Sequence, residues 1–321
     1  MPRRHPRELT TALSERLVEQ IATFPAKPIL VLTGGDPLKR DDIDLIVHCA
    51  TDVGLKCALT PSATPLLTRA TLKRLAGAGL HAVALSLDGV DALTHDTFRG
   101  VDGSFDHTLD MIKVVTDMGL PLQINTTVGA HNLSQLPDMA DLISRWPVTT
   151  WSVFFIVPVG RAHHVNRLRP DEVEGAFAAL YDLQPRHAFR IKTTEAPHYR
   201  RYATLRARAT PGTPTPPVVP TNDGRGVMFV SHTGDVYPSG FMPVKCGRFP
   251  DDNVVDVYQN SPVFQALRDP TRLSGKCGQC EFKAVCGGSR ARAFAVSHDY
   301  LAEEPDCLYI PVSMREYAPF V

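Results

Sequence analysis

PILVLTGGDP, residues 28–37, carries a short apolar, β-branched stretch straight into two glycines and an acid. Ile29 to Thr33 reads as a strand, and Gly34-Gly35-Asp36-Pro37 stands at its carboxyl end, where α/β folds place their ligand sites. Two glycines let a backbone approach a ligand and expose its carbonyls, while Asp36 brings a negative charge suited to an ammonium group. The stretch has neither the Walker lysine nor GxGxxG, which argues against a phosphate cradle. A tight strand-to-helix turn is the other reading of the same four residues.

Outward from this point the pattern alternates. Helix is expected over Leu13 to Thr23, then strand Pro28 to Thr33, helix Asp41 to Val53, strand Lys56 to Thr60, helix Thr68 to Ala76 and strand His81 to Ser86. Helix Ser104 to Met118, strand Leu122 to Val128, helix Leu133 to Arg145, strand Thr150 to Val157 and helix Asp171 to Leu183 follow. Short apolar strands separated by amphipathic helices mark a parallel sheet built from right-handed crossovers, either a barrel or an open wound sheet. Residues 1–185 form this α/β unit. Residues 186–225 read as a connecting loop or lid, because Ile191 to Tyr202 is polar and the tract TPGTPTPPVVP, Thr210 to Pro220, excludes regular helix or central strand. Residues 226–321 form a smaller unit of short strands, turns and cysteines.

Composition narrows the class. With 43% apolar residues the chain can bury a substantial core, and 34 basic residues balance 34 acidic ones, so net charge recruits neither nucleic acid nor anionic membrane. No apolar run reaches the roughly 18 residues of a membrane span, and MPRRHPRELTT is not followed by a signal-peptide core. A cytoplasmic location is expected. There, seven cysteines with four crowded near the C-terminus read as metal ligands before disulfides.

Cys277, Cys280, Cys286 and Cys307 give the spacing C-x2-C-x5-C-x20-C in a stretch poor in large apolar residues, which a metal would staple. Four thiolates suit a tetrahedral zinc or a 4Fe-4S cube; one CxxC pair with a separate third and a distant fourth cysteine favours iron. Disulfides are a third reading. Cys49 and Cys57 are expected as inert buried thiols, and Cys246 as a possible fifth thiolate nearby. On the strand ends, Ser62, Ser86, Asp88 and Asn125 gather on the same rim as the glycines and suggest a polar small-molecule pocket, although each singly suits a turn or cap. His95, Arg99, His198, Tyr199 and Arg200 are candidates to meet an acidic substrate, or are solvated loop residues.

Taken together, GGDP, SLDG at Ser86 to Gly89, HDTFRG at His95 to Gly100, NTTV at Asn125 to Val128, VPVGRA at Val157 to Ala162 and GKCGQCEFKAVCGGSRARA at Gly275 to Ala293 resemble radical S-adenosylmethionine (SAM) enzymes with a SPASM-type extension. The chain is most similar to the tetrapyrrole-modifying branch, that of the Fe-coproporphyrin decarboxylase of alternative haem synthesis; TTEAPHYRR at Thr193 to Arg201 fits it too. The resemblance implies a partial (β/α)6 barrel followed by a small SPASM or twitch-like iron-sulfur domain. It implies that Gly34, Gly35 and Asp36 hold the methionine amino group of SAM, with Ser86 and Asn125 near its carboxylate or ribose; Pro37, Ser62 and Asp88 are expected among the cofactor-binding residues beside them. It further implies an auxiliary 4Fe-4S cluster on Cys277, Cys280, Cys286 and Cys307, a reductant such as flavodoxin or ferredoxin, and a deoxyadenosyl radical that abstracts hydrogen from the substrate. That substrate is a tetrapyrrole, or a peptide as in the peptide-maturing branches. The family's C-x3-C-x2-C triad and first strand should precede Gly34, yet no cysteine precedes Cys49. A start codon placed too late, or an inactive iron-sulfur and SAM-binding homologue, would account for this; the former is expected. Glu195, Ser239 and Ser289 stand where two-cluster relatives carry cysteine, which implies one auxiliary cluster.

Overall fold

The computed structural model describes residues 5–160, 162, 167–210 and 220–317. Arg161 of VPVGRA, most of the proline-rich tract and the first residues of the basic N-terminus lie outside them.

Six strands, β1 Ile29–Leu32, β2 Lys56–Leu59, β3 Ala82–Ser86, β4 Leu122–Val128, β5 Val148–Phe155 and β6 Arg190–Thr194, pair in consecutive order. Every pair is parallel. Consecutive order with right-handed crossovers sends each connecting helix to the same side of the sheet. The sheet therefore curls into an open half-barrel, with helices outside and a concave face within. The intervening helices are α1 Thr11–Ile21, α2 Ile43–Asp52, α3 Arg69–Gly77, α4 Ala92–Arg99, α5 Ser104–Asp117, α6 Leu136–Ile143 and α7 Pro170–Leu183.

The outward side chains form the core. Leu59, Val83, Leu85, Ile124, Trp151 and Val153 are buried against Val47, Leu72, Ile112 and Phe177 of the helices. Trp151 is fully enclosed and its indole N–H donates to Thr126 Oγ1 at 2.8 Å, so the largest core side chain leaves no polar atom unpaired.

Four elements depart from expectation. Helix α4 lacks a strong apolar stripe and is set by its ends: Asp91 caps the N-terminus by accepting from Thr94 N, and Gly100 closes the helix at φ +67°. The span 186–225 is not simply a loop. It contributes β6 to the sheet and then helix α8, His198–Ala209, whose buried side carries His198, Arg201, Ala203, Thr204 and Ala207 instead of large apolar residues. The expected helix over Leu133 to Arg145 begins as a 3-10 turn and becomes α6 only at Leu136.

The C-terminal region comprises a small antiparallel sheet, β7 Phe229–Val230, β8 Asp235–Tyr237 and β9 Gly247–Arg248. Four short helices follow: α9 Val254–Asn260, α10 Pro262–Arg268, α11 Gly275–Gln279 and α12 Arg290–Ser297. This region touches both ends of the half-barrel. Val254 N donates to Gln20 of α1 and Leu9 N to the His232 carbonyl, while Arg292 Nε donates to the Ile156 carbonyl just past β5.

His95 is buried on α4, where its Nδ1 accepts from Asp88 N at 3.0 Å, so the ring must be neutral there. Burial lowers its pKa below the ordinary 6.5, overcoming the opposing pull of Asp88. The unfolded chain thus binds this proton more readily, and stability is lost as pH falls below 6.5. In urea titrations, wild type is expected to lose stability more steeply between pH 7 and 5 than His95→Asn, which keeps an acceptor but cannot titrate.

Candidate functional site

The four C-terminal cysteines arrive from different pieces of chain. Cys277 lies on α11, Cys280 ends it, Cys286 precedes the Gly287-Gly288 turn and Cys307 follows the acidic loop 303–306. All four line one hollow of about 400 Å3, with Lys276, Lys283 and Arg201 around it. Backbone N–H groups already point at the sulfurs: Phe282 N to Cys280, Gly288 N to Cys286 and Glu304 N to Cys277, at 3.3 to 3.4 Å. Such bonds favour thiolates. Burial, reinforced by the neighbouring thiols, pushes Cys286 well above the ordinary range, and burial carries Cys307 up to about 11 despite Arg201. Crowded thiols that oppose one another's ionisation call for a cationic centre.

The sulfurs line the wall of the hollow instead of meeting at a point. Among the described residues no three His, Cys, Asp or Glu side chains are placed to share one metal ion. Four thiols spread around a cavity with N–H donors on three of them fit a cluster whose irons face different directions. Cys246 is not among the lining residues; it is half-buried, with its thiol against the Val244 carbonyl.

Beneath the hollow lies a buried charge network. Arg292 donates to both carboxylate oxygens of Glu304 at 3.0 and 3.1 Å, pairs with Asp306 at 3.1 Å, and reaches the backbone carbonyls of Ile156 and Glu195. Burial alone would raise Glu304, but Arg292 and then His198 hold its carboxyl down at about 2. Glu195 goes the other way: burial and the nearby Asp223 push it well above the carboxylate range. Ser289 Oγ donates to Glu195 at 2.5 Å, joining the C-terminal region to the end of β6. Ser239 is buried separately, with its hydroxyl accepting from Phe241 N.

At the strand ends the glycine motif is held open. Gly34 has φ +128°, a conformation that strains any L side chain, although no atom lies within 4 Å of where a Cβ would stand. Asp36 is buried and caps the short turn Pro37–Lys39 by accepting from Leu38 N, while its other oxygen accepts from Thr64. Ser62 Oγ donates to the Gly35 carbonyl at 2.9 Å. Gly35, Asp36, Pro37 and Ser62 are thus brought together at the end of β1 and β2.

Asp88 is placed differently. It is fully buried: its carboxylate accepts from Thr127 N and pairs with Arg99 at 2.6 Å, tying β3 to β4 and to α4. Arg99 is consequently engaged in a structural pair. His198 is also buried, beside Phe177, and burial drives its pKa down to about 3. Arg200 donates to the carbonyls of Val285 and Thr221.

Ser86 and Asn125 stand opposite each other in register, and the row continues through Ser152 to Lys192. One row below run Ala84, Gln123, Thr150 and Arg190. Gln123 Nε2 donates to Asn125 Oδ1 at 2.7 Å, and Ser152 bonds Thr194 across the next strand pair. Gln123, Ser152, Lys192 and Arg190 were not expected at the site. Their signal was the alternation in LQINTTV and RIKTT, where every second residue is polar.

Removing the charge that organises the network has a stated cost. Arg292→Met leaves Glu304 buried without its cation and Asp306 with Arg167 alone, and is expected to lose about 3–5 kcal/mol, read from urea midpoints. The double variant with Glu304→Gln is expected to recover part of that loss.

Residues 1–143 match the model of the radical SAM superfamily. The chain is 38% identical, over 95% of its length and 88% of the relative's, to the AdoMet-dependent heme synthase of Methanosarcina barkeri. It is 28% identical to the pre-heme d1 synthase of Dinoroseobacter shibae, covering 94% of this chain and 79% of that one. It is 27% identical to the PqqA peptide cyclase of Rhodopseudomonas palustris, covering 96% and 81%. SAM-bound SuiB from Streptococcus suis shares the fold, with a TM-score of 0.72 at 16% identity over 96% of this chain and 72% of that structure. With its curled parallel sheet, the chain belongs to the radical SAM superfamily, in the group that contains the AdoMet-dependent heme synthases.

Proposed function

We propose that this chain is a radical SAM oxidoreductase that modifies a side chain of a tetrapyrrole by hydrogen abstraction. The observation that carries the reading is its identity with an AdoMet-dependent heme synthase along nearly the whole chain. The resemblance to a peptide cyclase is weaker over the same span, which makes a peptide the second reading. Its cofactors are a 4Fe-4S cluster and SAM.

Gly34, Gly35, Asp36 and Pro37, braced by Ser62, would hold the methionine end of SAM, with Ser86 and Asn125 further along the concave face. Asp88 would act behind them by fixing the end of β3. Cys277, Cys280, Cys286 and Cys307 would hold an auxiliary cluster. When bound, SAM and a reduced cluster supply a hydrogen-abstracting radical. The chain's own residues orient the ligands and line the hollow between them. A small acidic electron carrier such as flavodoxin or ferredoxin is the proposed reductant. The cytoplasm is the proposed location, supported by seven cysteines that are all free; among the described residues no helix is long and apolar enough to cross a membrane.

Turnover is measured both on residues 1–321, in which C-x3-C-x2-C does not occur, and on protein expressed with its natural upstream DNA. After anaerobic reconstitution and reduction, SAM with Fe-coproporphyrin is expected to give 5′-deoxyadenosine and a porphyrin of altered mass. An unchanged porphyrin alongside a modified peptide would replace the first reading with the second. The 321-residue chain itself is expected to bind about four irons, and Cys286→Ser to lose most of them, by metal analysis. Gly34→Val, which adds backbone strain on the order of 1–3 kcal/mol, is expected to weaken SAM binding at least tenfold in equilibrium dialysis while leaving the iron content unchanged.

A further inference from the structure

Two cations on β6 have no partner. Arg190 and Lys192 alternate with the core residue Ile191, so both side chains project from the concave face. Neither forms an ion pair or a side-chain hydrogen bond with any described residue, although the chain as a whole has as many acids as bases. Most other well-placed cations of the fold are engaged: Arg40 with Glu8 and Asp42, Arg99 with Asp88, Arg201 with Glu174, Arg292 with Glu304 and Asp306. Lys192 is exposed on this face, and the charged groups that act on it are the cations Arg190 and Arg200, with no acid among them. An uncompensated positive pole facing a hollow attracts an anion.

Geometry separates this pole from SAM. Lys192 lies three strand spacings from Ser86, roughly 14 Å along the sheet, and five spacings from β1, roughly 24 Å. The amino and carboxylate groups of methionine sit on one carbon, so a methionine held at Gly34 to Asp36 has its carboxylate at the β1 side. The cations on β6 are left for a second molecule.

We propose that Lys192, with Arg190 one row below it, binds a carboxylate of the substrate and so fixes which edge of that molecule faces the strand ends of β3 and β4. This rests on the proposed function above for the identity of the substrate, but not for the chemistry of the site. Lys192 supplies a point charge with three donors and Arg190 a planar fork, a pair able to hold one carboxylate or two neighbouring ones. They are positioning residues; nothing in their placement moves a proton.

The test titrates the reconstituted 321-residue chain with coproporphyrin, followed by its absorption band, and with the uncharged tetra-amide of the same porphyrin. Wild type is expected to bind the acid, Lys192→Gln to bind it at least tenfold more weakly, and Lys192→Arg to recover most of the loss. The tetra-amide is expected to bind wild type and Lys192→Gln alike. SAM binding, measured in parallel by equilibrium dialysis, is expected to be unchanged in Lys192→Gln and in Arg190→Gln. Equal affinity of wild type and Lys192→Gln for the acid overturns the proposal. So does a parallel loss of SAM binding, which would make Lys192 structural or part of the SAM site. If wild type ignores the porphyrin but binds a glutamate-rich peptide in a Lys192-dependent way, the carboxylate site stands and the tetrapyrrole reading falls. If it binds neither anion, the site falls as well.

Discussion

Arg292 is the contact on which the two halves of the molecule depend. From α12 it pairs with Glu304 and Asp306, which lie on the loop leading to Cys307, and it donates to carbonyls just past β5 and β6. Glu304 in turn presents its backbone N–H to Cys277. The thiol-lined hollow is therefore registered against the carboxyl ends of the sheet through this guanidinium, with the bonds of Ser289 to Glu195 and of Arg200 to the Val285 carbonyl beside it. A buried pair of this kind is a poor source of net stability, because desolvation consumes most of the Coulombic gain. Its effect is to make every other seating of the C-terminal region leave a charge unpaired. The same field sorts the carboxyls around it: Glu304, in bidentate contact, stays ionised, whereas Glu195, which meets Arg292 only through its backbone carbonyl and faces Asp223, is driven toward the protonated form.

The sheet was legible in the sequence wherever burial demanded apolar residues. Strands β1 to β5 fall within two residues of the stretches their composition marks, since each is enclosed by helices on its outer face. Strand β6 and helix α8 were hidden for a single reason. Both face polar surroundings: β6 has one buried apolar residue, Ile191, between exposed Arg190 and Lys192, and the buried side of α8 carries His198, Arg201 and Thr204 where a pattern search asks for Leu and Val. Helix α4 was hidden by its shortness and betrayed by its caps, Asp91 and Gly100.

The site was legible in parts that correspond to chemistry with fixed spacing. The four cysteines do line one hollow, and Gly34 does adopt a backbone that only glycine tolerates well. Asp88 shows the limit of reading single residues: an acid after a strand looks like a ligand, yet this one is fully buried and holds β4 and Arg99 in place. Sequence position cannot tell which face of a strand end an acid occupies until the register is known. Once it is, Ser86 and Asn125 fall in one row with Ser152 and Lys192, residues that no motif distinguishes.

The register also reveals a gradient. Across the concave face, β1 contributes exposed Ile29 and Val31, β2 and β3 contribute Lys56, Ala58, Ala82 and Ala84, β4 and β5 contribute Gln123, Asn125 and Ser152, and β6 contributes Arg190 and Lys192. Above Lys56, which stands beside Ile29 at the lower edge, small apolar side chains give way to amides and hydroxyls and then to positive charge on β6. A molecule with an acidic rim is favoured with that rim at β6, because turning the rim away would strip Lys192 of a counter-charge. Neutral polar side chains in the middle hold no charge of their own to compete. Orientation is therefore set from the β6 end of the sheet, and the middle, where Ser86 and Asn125 stand, is left for the parts of the ligands that meet.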